Sequence, residues 1–331
     1  MYTYPHISGR NLVEVPDTEP STKNASGSGA SMSVAELTQF VPSSASHIYY
    51  QNKHIINTRY VNYLLLEDGM YYFSNPKNHI ITKNIMSILD NDTMTPKSFE
   101  LMNDDSIDLE NTVYPIESPC NIFGLEDIRL YEHENKIRFI ATNRNFAPMY
   151  TNCIVIGDYN INSHSYDNCK LINSPKNATY EKNWIPLIAD SRELFIYNWC
   201  PMEIYRLNAS NDNIELAIQH QNTINIPNFH RVRGSSVFID VGDYLLGVVH
   251  FSEESKPRQY YHMLVSLEKT TFKPLRYSET FHFQHIGIEF CIGFWKDKQE
   301  YIFWVSKTDR NACMMKIDVD KLPLRFEFPK I

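Results

Sequence analysis

The sequence predicts an all-β protein, a five-bladed β-propeller with an N-terminal extension. Aromatic residues make up 13% of the 331 residues, only 11 are glycine, and aromatic and β-branched residues come in short runs typical of strands. Five times along the chain, two such runs flank a short polar turn. The turns recur at intervals of about 50 to 70 residues, and such a period with several strands per unit is typical of propeller blades.

The N-terminal extension, residues 1–46, differs in composition from the rest of the chain. Residues 21–33 are rich in serine and glycine, a short possible helix begins at Val34, and a second serine-rich run follows Pro42. Such segments bury little apolar surface, so we interpret residues 1–46 as a flexible or wrapping arm through which an oligomer could form. Residues 47–331 are then the propeller domain.

Five predicted hairpins form the inner halves of the blades. They span residues 60–73, 128–141, 184–199, 236–250 and 290–305. Their turns contain Asp-Gly, Glu-Asn and similar pairs, which fit hairpins. Further strand-like runs at 153–157, 204–207, 214–219, 261–267 and 314–317 supply the outer strands. A large β-sandwich is the alternative architecture.

Composition excludes several functional classes. The net charge is −8 with both signs interspersed, which argues against binding to nucleic acid. No stretch reaches the roughly 20 apolar residues of a membrane helix, and the N-terminus lacks the basic flank and apolar core of a signal peptide. Six cysteines without a C-x-x-C pair favour free thiols in a reducing environment. We therefore expect a cytoplasmic protein without nucleic-acid or membrane partners.

Polar residues occur at the same position in each predicted hairpin, beside the strand ends that lie opposite the turn. Five innermost hairpins would gather these side chains around one funnel, a concave polar site that suits small polar ligands. For any one of these residues, the alternative interpretation is that it is polar only because strands end in loops. The set is Asn57, Arg59, Glu126, Asp127, Arg129, Asn143, Arg144, Lys182, Asn183, Arg231, Arg233, His250, Glu289 and Asp309.

Asp127 is the main candidate for a catalytic acid. It follows Glu126 in one strand, and side-chain alternation predicts that only one of the two faces the funnel while the other orients Arg129 or the backbone. A carboxylic acid beside other carboxylates can have a raised pKa, as acid catalysis at glycosidic bonds requires. Glu289 and Asp309 are the other carboxylates of the rim, and they could hold sugar hydroxyls or act as a base.

The basic residues of the set predict an anion site. Clustered cations favour phosphate, free or as part of a sugar donor, and His250 could join them or lie in the core. Trp184, Trp199, Tyr260 and Tyr261 could stack on sugar rings, although core packing is the more frequent role. The sequence contains no metal-ligand spacing, phosphate-binding loop or nucleophile motif. We therefore expect no metal and no cofactor, with inorganic phosphate as a possible co-substrate.

The motif Gly-Leu-Glu-Asp-Ile-Arg at 124–129 resembles the G-x-E-D-P-R motif of glycoside hydrolase family 130. These five-bladed propeller enzymes are β-mannoside phosphorylases and mannosidases, with β-1,2-mannosyltransferases among their relatives. Segments 181–186, 231–236 and 306–309 are similar to further family segments in the same order. The resemblance implies Asp127 as a proton donor that acts through a sugar hydroxyl.

The resemblance also bears on other residues of the set. Together with the clustered positive charge, it implies phosphate binding by Lys182, Arg231, Arg233 and His250, and it implies that Asp309 binds sugar hydroxyls. From their position on the rim, we also expect substrate contacts by Asn57, Arg59, Glu126, Arg129, Asn143, Arg144, Asn183 and Glu289. Ile128 stands where the family motif has proline.

These observations predict a carbohydrate-active enzyme that transfers or cleaves a glycosyl unit with inversion, on an oligosaccharide or sugar-phosphate substrate. The resemblance implies that the unit is β-mannosyl. One alternative is a glycosyltransferase that uses a nucleotide-sugar or sugar-phosphate donor. A second is a hydrolase with a direct carboxylate pair, for which inversion requires a separation of about 6.5–9.5 Å. A third is a non-catalytic carbohydrate-binding propeller, because a fold does not fix a function.

Overall fold

The computed structural model describes most of the chain from residue 40 onwards. The described residues are 12–14, 40–65, 70–73, 79–109, 122–144, 146, 151–189, 191–208, 213–221, 226–255, 258–284 and 287–329. The possible helix after Val34 and the cysteine at position 120 lie outside them.

Strands and short 3₁₀ helices are the regular elements of the described part of the chain, and turns and loops connect them. The strands are β1 (Leu12–Glu14), β2 (Val41–Tyr50), β3 (Lys53–Val61), β4 (Tyr63–Leu65), β5 (Tyr71–Phe73), β6 (Ile80–Ile88), β7 (Glu100–Leu101), β8 (Ile122–Phe123), β9 (Glu126–His133), β10 (Lys136–Asn143), β11 (Cys153–Asn160), β12 (Ser165–Ile172), β13 (Ile185–Ala189), β14 (Arg192–Trp199), β15 (Met202–Leu207), β16 (Ile214–His220), β17 (Arg233–Gly234), β18 (Ile239–Asp240), β19 (Leu245–Glu253), β20 (Gln259–Leu267), β21 (Pro274–Tyr277), β22 (Glu289–Asp297), β23 (Glu300–Lys307), β24 (Arg310–Asp318) and β25 (Phe326–Glu327). The 3₁₀ helices are Asp104–Ser106, Phe229–Arg231 and Val319–Lys321.

Five sheets form the blades of a propeller ring, as the sequence predicts. From the inside outwards they are β2-β3-β6-β7, β9-β10-β11-β12, β13-β14-β15-β16, β17/β18-β19-β20-β21-β25 and β22-β23-β24-β1. In the fourth blade the inner strand is split, because β17 and β18 both pair with β19. The inner strands meet around the centre, where β2 contacts both β9 and β22.

The core lies between the blades, where the apolar face of one sheet packs on the next. Between the second and third blades, for example, Ile140 and Ile156 pack with Trp184 and Phe195, all nearly inaccessible to solvent. Burial of apolar area drives this stacking, at about 25 cal/mol for each Å² removed from water. The ring thereby holds the inner strand ends in fixed relative positions.

Four of the five predicted inner hairpins are confirmed. They are β9-β10, β13-β14, β18-β19 and β22-β23, and all five predicted outer runs lie in observed strands. The prediction for the first blade was wrong. Its inner hairpin is β2-β3, with a turn at Gln51 and Asn52, whereas residues 63–65 and 71–73 form a separate two-stranded sheet.

The misassignment follows from the unusual surroundings of β2. This strand begins at Val41, inside the segment predicted as an arm, and it contacts inner strands on both sides. Ser43, Ser44, Ala45 and Ser46 are therefore all at most 2% exposed. Small side chains fit where three inner strands approach one another, but in the sequence they have the composition of a loop. Farther towards the N-terminus, β1 pairs with the outer strand β24.

Two further findings concern composition. Among the described residues, no helix has the length and apolar character that a membrane crossing would need. The described cysteines are free, and four of them are buried.

Candidate active site

A cavity of about 590 Å³ opens at the end of the ring opposite the turns of the inner hairpins. Its size is within the range of small-molecule sites, roughly 300–1,000 Å³. Nine residues of the predicted set line it, from all five blades or the loops that lead into them. They are Arg59, Glu126, Asp127, Asn143, Arg144, Lys182, Asn183, His250 and Asp309.

An ion-paired group of three side chains occupies one part of the cavity wall. The two Nη atoms of Arg59 contact Oε1 of Glu126 at 3.1 Å and Oδ1 of Asp127 at 3.2 Å. Ser44 Oγ also donates to Asp127 Oδ1 at 3.3 Å. Burial alone would lower the pKa of Arg59, but the carboxylates, Glu126 foremost, raise it well above its ordinary value. Arg59 therefore remains a cation that holds both carboxylates in place.

The expectation that Glu126 and Asp127 face opposite sides was wrong, because both line the cavity. The pairing of β9 with β10 shifts register here: Thr142 pairs with Glu126 and Ile140 pairs with Arg129, so two residues of β9 oppose one of β10. Asp127 lies in this bulge with a φ of 53°, in the left-handed region. A bulge redirects a side chain out of the regular alternation.

Asp309 reaches the cavity from the two-residue turn between β23 and β24. Thr308 and Asp309 both have positive φ, 50° and 54°, which is an unfavourable conformation for a β-branched threonine. Tyr63 donates to Asp309 Oδ2 at 3.2 Å. Burial raises the pKa of Asp309, Arg59 opposes the shift, and the negative charge of Asp127 adds to it. The carboxyl of Asp309 thus takes up a proton more readily than an exposed aspartate.

His250 contributes a neutral imidazole to the wall. Its Nδ1 lies 2.9 Å from Ser235 Oγ, and its ring stacks on Tyr260 with the edge of Phe290 nearby. Burial lowers the pKa of His250 well below its ordinary value, and His262 and the cations Arg129 and Arg233 add to that effect. His250 can therefore accept or donate a hydrogen bond but does not supply positive charge at neutral pH.

Two cations in the wall have no partner within the described protein. Arg144 lines the cavity with a buried Nε that makes no hydrogen bond. Lys182 also lines it and is exposed, and no hydrogen bond or ion pair engages its ammonium group. An unsatisfied buried N–H is costly, so a site of this kind suits an anion such as phosphate.

Five residues of the predicted set do not line the cavity. Asn57 is 1% exposed and bonds to Asn84 and Tyr159, and Glu289 accepts from the backbone amides of residues 283 and 284. Arg231 turns away and donates to the Ser252 carbonyl. The others are Arg129, which is buried between blades, and Arg233, which is exposed outside the lining.

The stacking candidates divide in the same way. Tyr260 lines the cavity, whereas Trp184, Trp199 and Tyr261 are buried in the core. Sequence reasoning missed several lining residues, among them Tyr63, Tyr71, Asn152, Tyr180, Glu254 and Arg258. Tyr63 and Tyr71 lie in the β4-β5 hairpin, which the sequence pattern predicts as the inner hairpin of the first blade. No group of three or more His, Cys, Asp or Glu that could hold a metal occurs among the described residues.

Comparison with solved structures shows which known proteins share this fold. The β-1,2-mannobiose phosphorylase from Listeria innocua is 11% identical over 85% of this chain and 91% of its own, with a TM-score of 0.50. MPT-1, a GDP-Man-dependent mannosyltransferase from Leishmania mexicana, is 10% identical over 85% and 87%, with a TM-score of 0.53.

A third structure comes from the GH130 family of mannoside phosphorylases, described as containing glycoside hydrolases that target β-1,2-mannosidic linkages in Candida mannan. It is 8% identical over 99% of this chain and 98% of its own, with a TM-score of 0.57. No protein-family model matches the sequence, and no curated protein matches it significantly. At these identities the likeness establishes a common fold.

Proposed function

We propose that the protein is an enzyme that transfers or cleaves a mannosyl unit, in the manner of a mannoside phosphorylase or hydrolase. The observation that carries the proposal is the cavity itself. Asp127, aimed inwards by a bulge and held by Arg59, shares it with Arg144 and Lys182, two cations that have no partner among the described residues. The fold is common to proteins with phosphorylase, hydrolase and transferase activity on mannosides.

In the proposed reaction, Asp127 gives a proton to the glycosidic oxygen, directly or through a sugar hydroxyl. The bond between that oxygen and the anomeric carbon breaks, and a phosphate or water oxygen bonds to the carbon from the opposite face, so the configuration inverts. An attacking water releases a proton to solvent, and Asp127 regains its proton from solvent before the next turnover. Glu289 is engaged by two backbone amides, so it does not serve as the second member of a carboxylate pair.

Asp309 would hold sugar hydroxyls, and this role gives a prediction for Tyr63→Phe. An ionised carboxylate accepts hydrogen bonds from sugar hydroxyls. The Tyr63 hydroxyl lowers the pKa of Asp309 by donating a hydrogen bond to its charged form. Without that bond the raised pKa rises further. We expect the acid limb of kcat/KM against pH to move to higher pH by about one unit, since a bond to a charged group is worth about 1.5 kcal/mol or more.

Tyr49→Phe is the matched control for this measurement. The Tyr49 hydroxyl also donates to a side chain, Asn52 Oδ1, but at the opposite end of the ring. The control should keep the wild-type pH profile. An unmoved acid limb in Tyr63→Phe would show that Asp309 is not the group whose ionisation limits the reaction at low pH.

Arg144 and Lys182 are the proposed phosphate ligands. Removing the charge from either, in Arg144→Gln or Lys182→Gln, should raise the KM for phosphate at least tenfold, because a charge-assisted bond contributes about 1.5–3 kcal/mol. Arg233→Gln is the comparison, since Arg233 is exposed outside the cavity lining. Phosphate titrations of the three variants would decide; an effect confined to Arg233→Gln would place the anion site elsewhere.

A glycosyltransferase with a nucleotide-sugar donor is the second candidate, and one observation favours it. Tyr180 lines the cavity with 64% of its surface exposed, and it is two residues along the chain from Lys182. An exposed ring beside cations suits a nucleotide, because a base can stack on the ring while the phosphates meet the positive charge. Turnover with a nucleotide-sugar but not with inorganic phosphate would support this candidate.

A substrate panel tests the proposed function. The protein is incubated with β-linked manno-oligosaccharides alone, with inorganic phosphate, or with GDP-mannose, and the products are separated. Mannose 1-phosphate that appears only with phosphate indicates phosphorolysis, free mannose indicates hydrolysis, and a lengthened oligosaccharide indicates transfer. No product under any condition, despite measurable binding, would support a non-catalytic carbohydrate-binding protein.

A further inference from the structure

Arg129 is a fully buried arginine that does not line the cavity but lies between three blades. Its exposed fraction is 2%. Nε donates to the carbonyl of Ser235 at 2.6 Å, one Nη to the carbonyl of Asp127 at 3.0 Å, and the other to Asn183 Oδ1 at 3.1 Å. The last nitrogen is also 3.4 Å from the carbonyl of Gly234. The guanidinium thus bonds to residues of the second and fourth blades and to the loop before the third.

All of these partners are neutral carbonyl oxygens. Among the described residues, no carboxylate lies within ion-pair distance of Arg129, in contrast to Arg59 and Arg138. Burial lowers the pKa of Arg129 to about 10, opposed by the charge of Asp127, so the group remains protonated at neutral pH. A buried charge without a counter-ion costs stability unless dipoles replace its water, and here the carbonyls do so.

Each partner of Arg129 belongs to, or supports, a residue of the cavity wall. The carbonyl at 3.0 Å is that of Asp127 itself, in the left-handed bulge. Asn183 lines the cavity and also has a positive φ, 61°. Ser235 contacts Nδ1 of His250 through its hydroxyl. One side chain therefore connects wall residues that are 56 or more positions apart in the sequence and lie on different blades.

We propose that Arg129 is a positioning residue, which fixes Asp127, Asn183 and His250 relative to one another without touching the substrate. This role differs from the sugar contact that the sequence suggests. The expected effect on catalysis rests on the proposed function. The expected effect on the positions of the three residues does not. Displacement of a catalytic group by about 1 Å can cost a factor of about 10² in rate, so the loss should fall on kcat.

The planar fork of the guanidinium is essential to this role. Its three nitrogens donate in fixed directions, whereas a lysine ammonium is a single point that cannot reach the Asp127 carbonyl, Asn183 and Ser235 together. Arg129→Lys keeps the charge and leaves at least one of these oxygens without its donor. The substitution therefore separates geometry from charge.

The test compares Arg129→Lys with Arg138→Lys. Arg138 also bridges blades, through Asp158 and Glu193, but it does not line the cavity. We expect Arg129→Lys to lower kcat on β-1,2-mannobiose about 100-fold with KM changed less than threefold, and Arg138→Lys to lower thermal stability with kcat unchanged. In Arg129→Ala, added guanidinium should restore part of kcat. Wild-type kcat in Arg129→Lys, or equal kcat losses in the two lysine variants, would overturn the proposal.

Hydrogen exchange separates this inference from the proposed function. Amides of peptides covering 124–129 and 233–236 should exchange faster in Arg129→Lys than in Arg138→Lys, measured well below both unfolding transitions. If the wild type turns over no mannoside, the proposed function is wrong. The hydrogen-exchange comparison still tests the positioning role in that case. Equal exchange in the two variants would overturn it. Arg129→Gln, which has no charge to bury, replaces the lysine variant if that variant does not fold.

Discussion

Asp127→Asn should lower kcat/KM by about three orders of magnitude while leaving the fold intact. A positioned acid contributes roughly 10²–10⁴ to a rate, and the side-chain amide of asparagine is too weak an acid to protonate a leaving oxygen. Asparagine is nearly the same size and tolerates the left-handed conformation that residue 127 adopts with a φ of 53°. The bond from Ser44 and one contact to Arg59 would be weakened, so we expect a fall in Tm of only a few degrees.

The measurement is steady-state turnover of the wild type and variant together with thermal unfolding. Asp240→Asn is the control, because Asp240 is exposed at the end of β18, is paired with Lys269 and does not line the cavity. It should retain full turnover. Near-wild-type turnover in Asp127→Asn would remove Asp127 as the acid and leave Glu126, Glu254 and Asp309 as the remaining carboxylates of the wall.

Gly124→Ala should impair both folding and turnover, because this position has no room for a side chain. Gly124 has a φ of 93°, and an added Cβ would lie 2.2 Å from the carbonyl oxygen of Thr82. That contact is with backbone, which cannot rotate away. Strain from the positive φ and from overpacking together should cost about 2–5 kcal/mol. Because Asp127 is three residues along, we expect a loss of at least about 100-fold in kcat/KM in the protein that does fold.

Gly242→Ala separates the two causes. Gly242 has a similar φ, 101°, but an added Cβ would meet nothing within 4 Å. It should lose only about 1–2 kcal/mol from the backbone conformation, with turnover unchanged. Thermal unfolding and kinetics of both variants provide the comparison. Equal losses in the two would show that conformation, rather than the contact with Thr82, makes glycine necessary at position 124.

The fold was predictable wherever a blade follows the usual pattern of strand, short turn and strand. In β9-β10 and β22-β23, apolar residues alternate around turns such as Glu134-Asn135, and the pattern identifies both strands. The inner hairpin of the first blade was not predicted, because β2 lies between the inner strands β9 and β22. Its serines are buried by tertiary contacts that no local pattern contains.

The site was predictable in its position along each hairpin but not in the direction of each side chain. Asp127 and Asp309 lie where the strand ends place them, yet both depend on left-handed residues that interrupt alternation. Arg231 could not be assigned correctly, because the 3₁₀ helix at Phe229–Arg231 turns it towards Ser252 and the ring of Phe251. Tyr63 was missed because its hairpin forms a separate two-stranded sheet and is not an inner strand pair.

The left-handed backbone at three wall residues, Asp127, Asn183 and Asp309, limits how this pocket can diversify. In a saturation library at these positions, the backbone should admit chiefly glycine, asparagine and aspartate, because other side chains are strained there. Chemistry then selects among the three. New specificities should therefore arise more readily at wall residues in ordinary conformations, such as Tyr180 and Arg258, than at the carboxylates themselves.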